Sequence, residues 1–305
     1  MWYAVTRRKR ALPTRFLDYF PHYEMDLGVP QLLAEEYEVR IADNPTIVFC
    51  HQFGEEYKKY RCPRVFNAGE PWAFNKLDYD FRITFDYEES DVDIRFPLYG
   101  FMFPNTTLCN CIGENEAEAV LRQKIRFCDF VYSNHGATDR QNFVEKLCRY
   151  KPVECPGAVK HNTNFYVSGT HSSIQRVTYT SGSKFSLAFE NCRKEGYTTE
   201  KIATVFAARS VPIYYGNPEV YRDFNPGSFI NVHDFDSFDA AIEYIKFVDN
   251  HDDLYRQMLC TPCFRDNKPT PYVDTRRLLS KLIAWMEAHR VSFDVRDSLP
   301  QNTGN

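Results

Sequence analysis

Three kinds of side chain in this sequence stand where they could do chemistry: a glutamate behind a glycine, cations at helix starts, and a carboxylate–amide pair closing a strand. Glu70 follows Gly69 where the strand-like run Arg64–Asn67 stops, and Pro71 fixes the turn behind it. A carboxylate there projects into a cleft, where it can take a proton as a general base; a solvated turn glutamate is the plain alternative. Arg140 and Lys201 each fall in the first turn of a helix-patterned segment. Cations oppose the helix dipole at that end, and an anion against the open N–H groups would reverse the balance. Arginine suits a phosphate because its planar fork donates two parallel bonds. An ion pair of Arg140 with Asp139 or Glu145, and a solvated Lys201, account for the same positions without a ligand. Glu190 and Asn191 close the run Lys184–Phe189, and Tyr197 and Glu200 lie between them and Lys201. Lys160 and Lys184 are weaker cation candidates. His135, His161 and His233 are lone histidines, a type that more often holds structure than does chemistry.

The elements that must position these residues alternate. Lys184–Phe189 and Val211–Tyr215 are short apolar runs of strand formers, and Ile202, Val205, Phe206 and Arg209 between them recur at helical spacing. Strand, helix and strand in so few residues make a right-handed βαβ unit with parallel strands, and ligands bind beyond the carboxyl ends of such strands. Upstream, a helix from Pro30 to about Glu36 precedes strands at Tyr37–Ile41, Ile47–Cys50, Arg64–Asn67 and Phe81–Phe85. A helix over Asn115–Phe127 with Ala119, Leu121 and Ile125 on its apolar face, a strand Asp129–Tyr132 and a helix Arg140–Leu147 follow. Prolines, Gly157 and a polar run interrupt the pattern over Lys151–Asn164 and mark the expected domain boundary. Later come a strand Phe229–Val232, a helix from Phe238 capped by Ser237, and a last helix capped by Asp274. The fold class is α/β with mostly parallel sheets.

The pattern Phe185-x-Leu187-x-Phe189-Glu190-Asn191, then Tyr197-x-Thr199-Glu200-Lys201, then VPIYYG ending at Gly216 resembles the donor-binding motif of the α1,3-fucosyltransferases of glycosyltransferase family 10, especially the bacterial ones. FNPGSFINVHDFDSFDAAIEYIKF is similar to the segment that follows in that family, and the resemblance is dense over Lys184–Phe247 and looser upstream. It implies a GT-B architecture of two facing Rossmann-like domains and a metal-independent, inverting transfer of fucose from GDP-fucose. RVFNAGEP resembles the family stretch whose glutamate is the general base, which gives that role to Glu70. Arg140 matches a family arginine that contacts the donor diphosphate. Lys184, Glu190, Asn191, Tyr197, Glu200 and Lys201 are then donor-site residues. The expected domains are 1–155 for the acceptor and 156–297 for GDP-fucose, with a loose tail over 298–305. The implied product is an α1,3 linkage to O3 of GlcNAc in an N-acetyllactosamine-type glycan, giving a Lewis X-like product. A relative with α1,4 preference or another acceptor, and a catalytically silent glycan-binding protein, are the alternatives.

Bulk properties set outer bounds. A length of 305 residues with 43% hydrophobic and 16% aromatic content fits two domains with ample cores. A net charge of −4 and a pI near 6.1 argue against a general nucleic-acid or anionic-membrane surface, so an anion site must be local. No apolar run approaches the ~20 residues of a membrane helix, and the Arg7–Arg10 cluster lacks the apolar stretch of a signal peptide. The expectation is a cytoplasmic protein with membrane contact at most peripheral. It carries neither the heptad repeats nor the basic amphipathic tail of the best-known bacterial members. Ten cysteines are scattered, with only Cys109–Cys111 and Cys260–Cys263 closely spaced. The two pairs lie too far apart for a zinc ribbon, which leaves free thiols. The second pair resembles a disulfide-bonded pair of the animal family members. Asp-x-Asp occurs at Asp78–Asp80, Asp91–Asp93 and Asp234–Asp236, but none ends a run that reads as a sugar-nucleotide strand. No metal is expected, since arginine and lysine can neutralise a leaving diphosphate.

Overall fold

The structure, a computed structural model, describes residues 9–17, 28–51, 54–109, 111–167, 174–291 and 293. The chain divides into two compact units. The first comprises 1–84, 88–95 and 275–305, and the second 85–87 and 96–274.

The first unit is built on a six-stranded sheet in which every described pairing is parallel. Its strands are β1 (Arg10–Leu17), β2 (Tyr37–Ile41), β3 (Ile47–His51), β4 (Arg64–Asn67), β5 (Phe81–Thr84) and β6 (Asp93–Arg95), in the order β2-β1-β3-β4-β5-β6. β3 is buried at every position, as a strand covered on both faces must be. Helix α1 (Val29–Glu36) begins with Pro30, whose missing N–H costs nothing in a first turn.

The second unit carries α2 (Leu98–Met102), α3 (Glu114–Arg122), β7 (Arg126–Asp129), α4 (Thr138–Leu147), β8 (Val153–Glu154), α5 (Ile174–Thr180), β9 (Ser183–Phe189), α6 (Glu200–Ala207), β10 (Val211–Tyr215), β11 (Ile230–Asn231), α7 (Phe238–Asp249) and α8 (Asp252–Cys260). Its sheet is parallel in the order β11-β10-β9-β7-β8. β9 shows the strand period plainly. Phe185, Leu187 and Phe189 enter one core with Phe143 and Ile245, and Ala188 enters the opposite core with Ile202 and Val205. Ser237 Oγ accepts the Ala240 N–H at 3.1 Å and so caps α7 as expected.

Each sheet is doubly wound: the first strand pairs with the second on one side and with the third on the other. That makes a topological switch point at β1/β3 in the first unit and at β7/β9 in the second.

Several expectations need correction. The boundary near Lys151–Asn164 does not divide the chain at 155/156, because β7 and β8 pair into the second sheet. The Pro- and Gly-rich stretch is instead a loop within that unit. Asn162 accepts the Cys155 N–H at 2.7 Å and donates to Val153 O at 2.9 Å. Gly157 passes so close to β7's continuation that a Cβ would lie 2.6 Å from Tyr132 O. The last helix, α9 (Thr275–Ala288), returns to the first unit, where Trp285 packs on Phe81 at 5.2 Å and Lys281 donates to Ser90 O and Asp93 O. The expected helix over Asn115–Phe127 ends at Arg122, and Ile125 is 80% exposed rather than apolar-facing. The expected tail over 298–305 and Arg7 and Arg8 lie outside the described residues. The cysteine pairs, distant in sequence, meet in space: Cys111 Sγ donates to Cys260 O at 3.3 Å and Cys263 Sγ to Leu108 O at 3.2 Å. Among the described residues no disulfide joins the cysteines; burial removes Cys263 from the surface and pushes its thiol up to about 12.

Candidate functional site

The switch point of the second sheet gathers most of the predicted residues. Asn134 follows β7, Arg140 lies in the first turn of α4, Glu190 and Asn191 follow β9, and Gly216 follows β10. Arg140 is 1% exposed, lies over the Tyr132 ring at 4.2 Å, and donates to Asn134 O at 2.6 Å and Asn191 Oδ1 at 3.2 Å. It therefore ties the loop after β7 to the loop after β9. Its Nε has no hydrogen-bond partner among the described residues, and burial lowers the guanidinium's hold on its proton. An unmatched N–H on a buried cation carries a cost that an anionic ligand would remove.

Glu190 and Lys201 form a buried pair, Nζ to Oε2 3.1 Å. Glu190 also accepts the Thr199 N–H at 2.7 Å and the Thr199 hydroxyl, and Lys201 donates to Thr199 Oγ1 at 2.9 Å. Burial pushes the Glu190 carboxyl up, and Lys201 opposes it. Lys201 is thus oriented by a carboxylate rather than standing as a simple phosphate cation. Glu200 Oε1 lies 3.7 Å from the same ammonium. Neither α4 nor α6 has a side-chain cap on its first N–H groups. Gly216 is required here: a Cβ would sit 2.5–2.6 Å from the Glu190 side chain. Tyr197 is buried and meets the Phe85 ring at 5.3 Å, and in the same unit Asn217 Nδ2 donates to Tyr87 and Thr198.

Lys184 does not join this group. It stands at the amino end of β9, paired with Asp249 at 3.0 Å and Asp252 at 3.3 Å. Lys160 pairs with Glu145, so the ion-pair alternative written for Arg140 belongs to Lys160 instead. His233 Nε2 accepts the Gly216 N–H at 3.1 Å and its ring stacks on Tyr215 at 4.3 Å. His161 Nδ1 lies 3.1 Å from Gly157 O. Two residues passed unnoticed in the sequence. Arg176 of α5 is buried over the same Tyr132 ring at 5.8 Å, beside Arg140, and nothing in its helical surroundings marks it. His51 ends β3 in the first unit, and burial lowers its imidazole to about 4, so it is neutral near pH 7.

Glu70 lies just past β4, whose last residue Asn67 is in register with His51. A Cβ at Gly69 would stand 3.1 Å from His51 Nε2, so this glycine lets the chain bring Glu70 past the imidazole. The acidic pairs raised as metal candidates are engaged otherwise. Asp78 accepts from Tyr57, Asp93 pairs with Arg82, and Asp234 accepts from Asn231. Among the described residues no three His, Cys, Asp or Glu side chains gather as metal ligands would.

Comparison with known proteins decides the family. Residues 121–260 match the C-terminal model of glycosyltransferase family 10 (fucosyltransferase), and residues 14–102 match the α-(1,3)-fucosyltransferase FucT N-terminal domain. The chain belongs to glycosyltransferase family 10. It is 32% identical over 265 residues to the α-(1,3)-fucosyltransferase FucT of Helicobacter pylori, covering 75% of this chain and 54% of that protein. It is 43% identical over 182 residues to 4-galactosyl-N-acetylglucosaminide 3-alpha-L-fucosyltransferase 9 of Rattus norvegicus, covering 59% and 46%. The chain thus spans about half the length of these relatives. Its fold matches a crystal structure of an α1,3-fucosyltransferase with GDP-fucose, with a TM-score of 0.76, 25% identity, and coverage of 98% of this chain and 95% of that one. The GT-B assignment of this family-10 chain follows from that match. Among the described residues no helix is long and apolar enough to cross a membrane.

Proposed function

We propose that this family-10 chain is an inverting α1,3-fucosyltransferase that uses GDP-β-L-fucose as donor, without a metal, and O3 of GlcNAc in an N-acetyllactosamine-type glycan as acceptor, giving a Lewis X-like product. The observation that carries the reading is Arg140: a buried guanidinium at the switch point of the second sheet, with an unmatched Nε, beside Arg176 and two uncapped helix starts. The rat relative, a 4-galactosyl-N-acetylglucosaminide 3-alpha-L-fucosyltransferase, supports the acceptor class.

The mechanism follows from charge. As the anomeric carbon leaves GDP, negative charge builds on the β-phosphate, and donors already fixed in a dry site stabilise it without reorganising. Arg140 supplies that charge, and Lys201, held by Glu190 and Thr199, supplies more. Asn191, Tyr197 and Glu200 are assigned to the donor's sugar and nucleoside hydroxyls. Lys184 is no part of the donor set in this reading, because its ammonium pairs with Asp249 and Asp252. Glu70 is the general base that takes the proton of the acceptor hydroxyl as it attacks with inversion. The second unit is the donor domain and the first carries the base. Action in a cytoplasm, with membrane contact at most peripheral, belongs to the same reading.

An acceptor-array assay with GDP-fucose tests this. The expected outcome is α-configured fucose on lactosamine glycans at a rate retained in excess EDTA. No GDP release with any glycan would overturn the reading, and activity abolished by EDTA and restored by manganese would overturn its metal-independent part.

A further inference from the structure

The stretch leaving β4 displays two large apolar side chains in water: Trp72 is 64% exposed and Leu77 is 92% exposed. A tryptophan left in solvent forfeits one of the largest apolar burials any side chain can make. The exposure is not that of a loose segment. Phe74 packs on Phe66 at 4.2 Å and on Tyr79 at 6.2 Å, and Tyr79 in turn stacks on Phe66 and meets Tyr57. Asn75 Oδ1 accepts the Leu77 N–H at 3.2 Å and starts a short 3-10 turn. On the other side Pro71 locks its own φ. The backbone is therefore anchored before and after Trp72, and the indole is held out on a fixed support. One residue, Pro71, separates it from Glu70, so their Cα atoms lie within about 7 Å.

We propose that Trp72 is the stacking platform for the acceptor sugar, taking the apolar face of a neutral hexopyranose ring while an adjoining hydroxyl meets Glu70. This rests on the assignment of Glu70 as the base. A hydroxyl within hydrogen-bond reach of Glu70 brings its own ring, or the next ring of the same glycan, within reach of the neighbouring residues, among which Trp72 is the exposed aromatic. A pyranose carries C–H groups on one face and hydroxyls round its edge. The indole answers both, with an apolar face for the C–H groups and an Nε1–H donor for a hydroxyl. No charged group is needed for such a ligand, and the buried side chain beside the Gly69–Glu70 turn, His51, is neutral near pH 7.

The test varies N-acetyllactosamine at saturating GDP-fucose for wild type, Trp72→Ala, Trp72→Phe and Leu77→Ala. Trp72→Ala is expected to raise the acceptor KM about tenfold, the size of a modest aromatic hot spot. Trp72→Phe should recover part of the loss, and Leu77→Ala should stay within twofold of wild type. Calorimetric GDP affinity should remain within twofold in all of them. An unchanged acceptor KM in Trp72→Ala, or an equal rise in Leu77→Ala, would overturn the platform. A readout without turnover separates this from the base assignment. In Glu70→Gln with GDP bound, lactosamine should perturb tryptophan fluorescence, and the added Trp72→Phe change should abolish the response; a response that survives overturns the platform. Should Glu70→Gln still transfer fucose while Trp72→Ala raises KM, the base assignment falls and the platform stands. The reverse pattern removes the platform and leaves the base.

Discussion

At the carboxyl edge of β7, β9 and β10, Arg140 is buried and bonded to Asn134 and Asn191 while Glu190, Thr199 and Lys201 are buried and bonded to one another, whereas the edge of β3 and β4 offers a neutral His51, a glutamate on a turn and an exposed indole. Both sheets share the same doubly wound order, so topology alone does not make the difference. A charged ligand taken from water needs opposing charge already desolvated and fixed, and burying such charge is tolerated only when each group is paired. A neutral sugar makes no such demand; it asks for one base and an apolar face. Under the proposed function, the second unit is the one furnished for a diphosphate and the first the one for a glycan.

The largest effect belongs to the first unit. Glu70→Gln keeps shape and removes the proton acceptor, so kcat should fall by ~10²–10⁴-fold, the usual range for a general base, while GDP affinity holds. A folded Glu70→Gln protein transferring at more than a tenth of the wild-type rate would break the comparison on this side.

In the second unit, Arg140→Ala should weaken GDP binding by about 1.5–3 kcal/mol, as lost charged hydrogen bonds do, with little change in acceptor KM. Calorimetry reads it. Lys201→Ala is the poorer probe. It strands Glu190 without its 3.1 Å partner, and breaking a buried pair costs about 3–5 kcal/mol of stability. A melting temperature lowered in Lys201→Ala more than in Arg140→Ala would place the two residues in different roles at the same strand edge.

The neutrality of the first unit's strand edge predicts a pH effect. His51 has its proton affinity lowered by burial from 6.5 in water to about 4. The unfolded chain therefore binds a proton below about pH 6.5 that the native state refuses until about pH 4. Stability is full above 6.5, falls as pH drops through that window, and levels off below 4, by at most about 3.5 kcal/mol. His51→Asn should flatten that slope relative to wild type in denaturant titrations at pH 7, 6, 5 and 4. Equal slopes would mean the imidazole is not held neutral.

How much of this was legible in sequence depends on the range of the interactions. The βαβ segment read well because its strands, helix and VPIYYG turn lie within some thirty residues, and local pattern specifies them. The role of Gly216 was visible only as a motif; the Glu190 side chain 2.5 Å from its absent Cβ supplies the reason. The domain boundary was not legible, since α9 returns across most of the chain to pack on Phe81 and bond Ser90. Arg176 was hidden for the same reason: its place beside Arg140 is made by folding, not by spacing.

Lys184 carries the smallest expected effect and the sharpest control. The family-like run begins with it, and the resemblance implies a donor-site cation there. A strand rises about 3.3 Å per residue, so the six steps from Lys184 to Glu190 carry it ~20 Å to the opposite edge of the sheet. There it holds Asp249, whose carboxyl is drawn below its usual range chiefly by bonds from Lys151 and Lys184 working against burial. Lys184→Met keeps the aliphatic stem and removes that charge. GDP affinity should remain within twofold, while stability falls by about 1 kcal/mol, since Lys151 still pairs Asp249 at 2.5 Å. A tenfold loss of GDP affinity in a Lys184→Met protein with an unshifted melting temperature would put the anion site at the wrong edge of the sheet and undo the contrast between the two units.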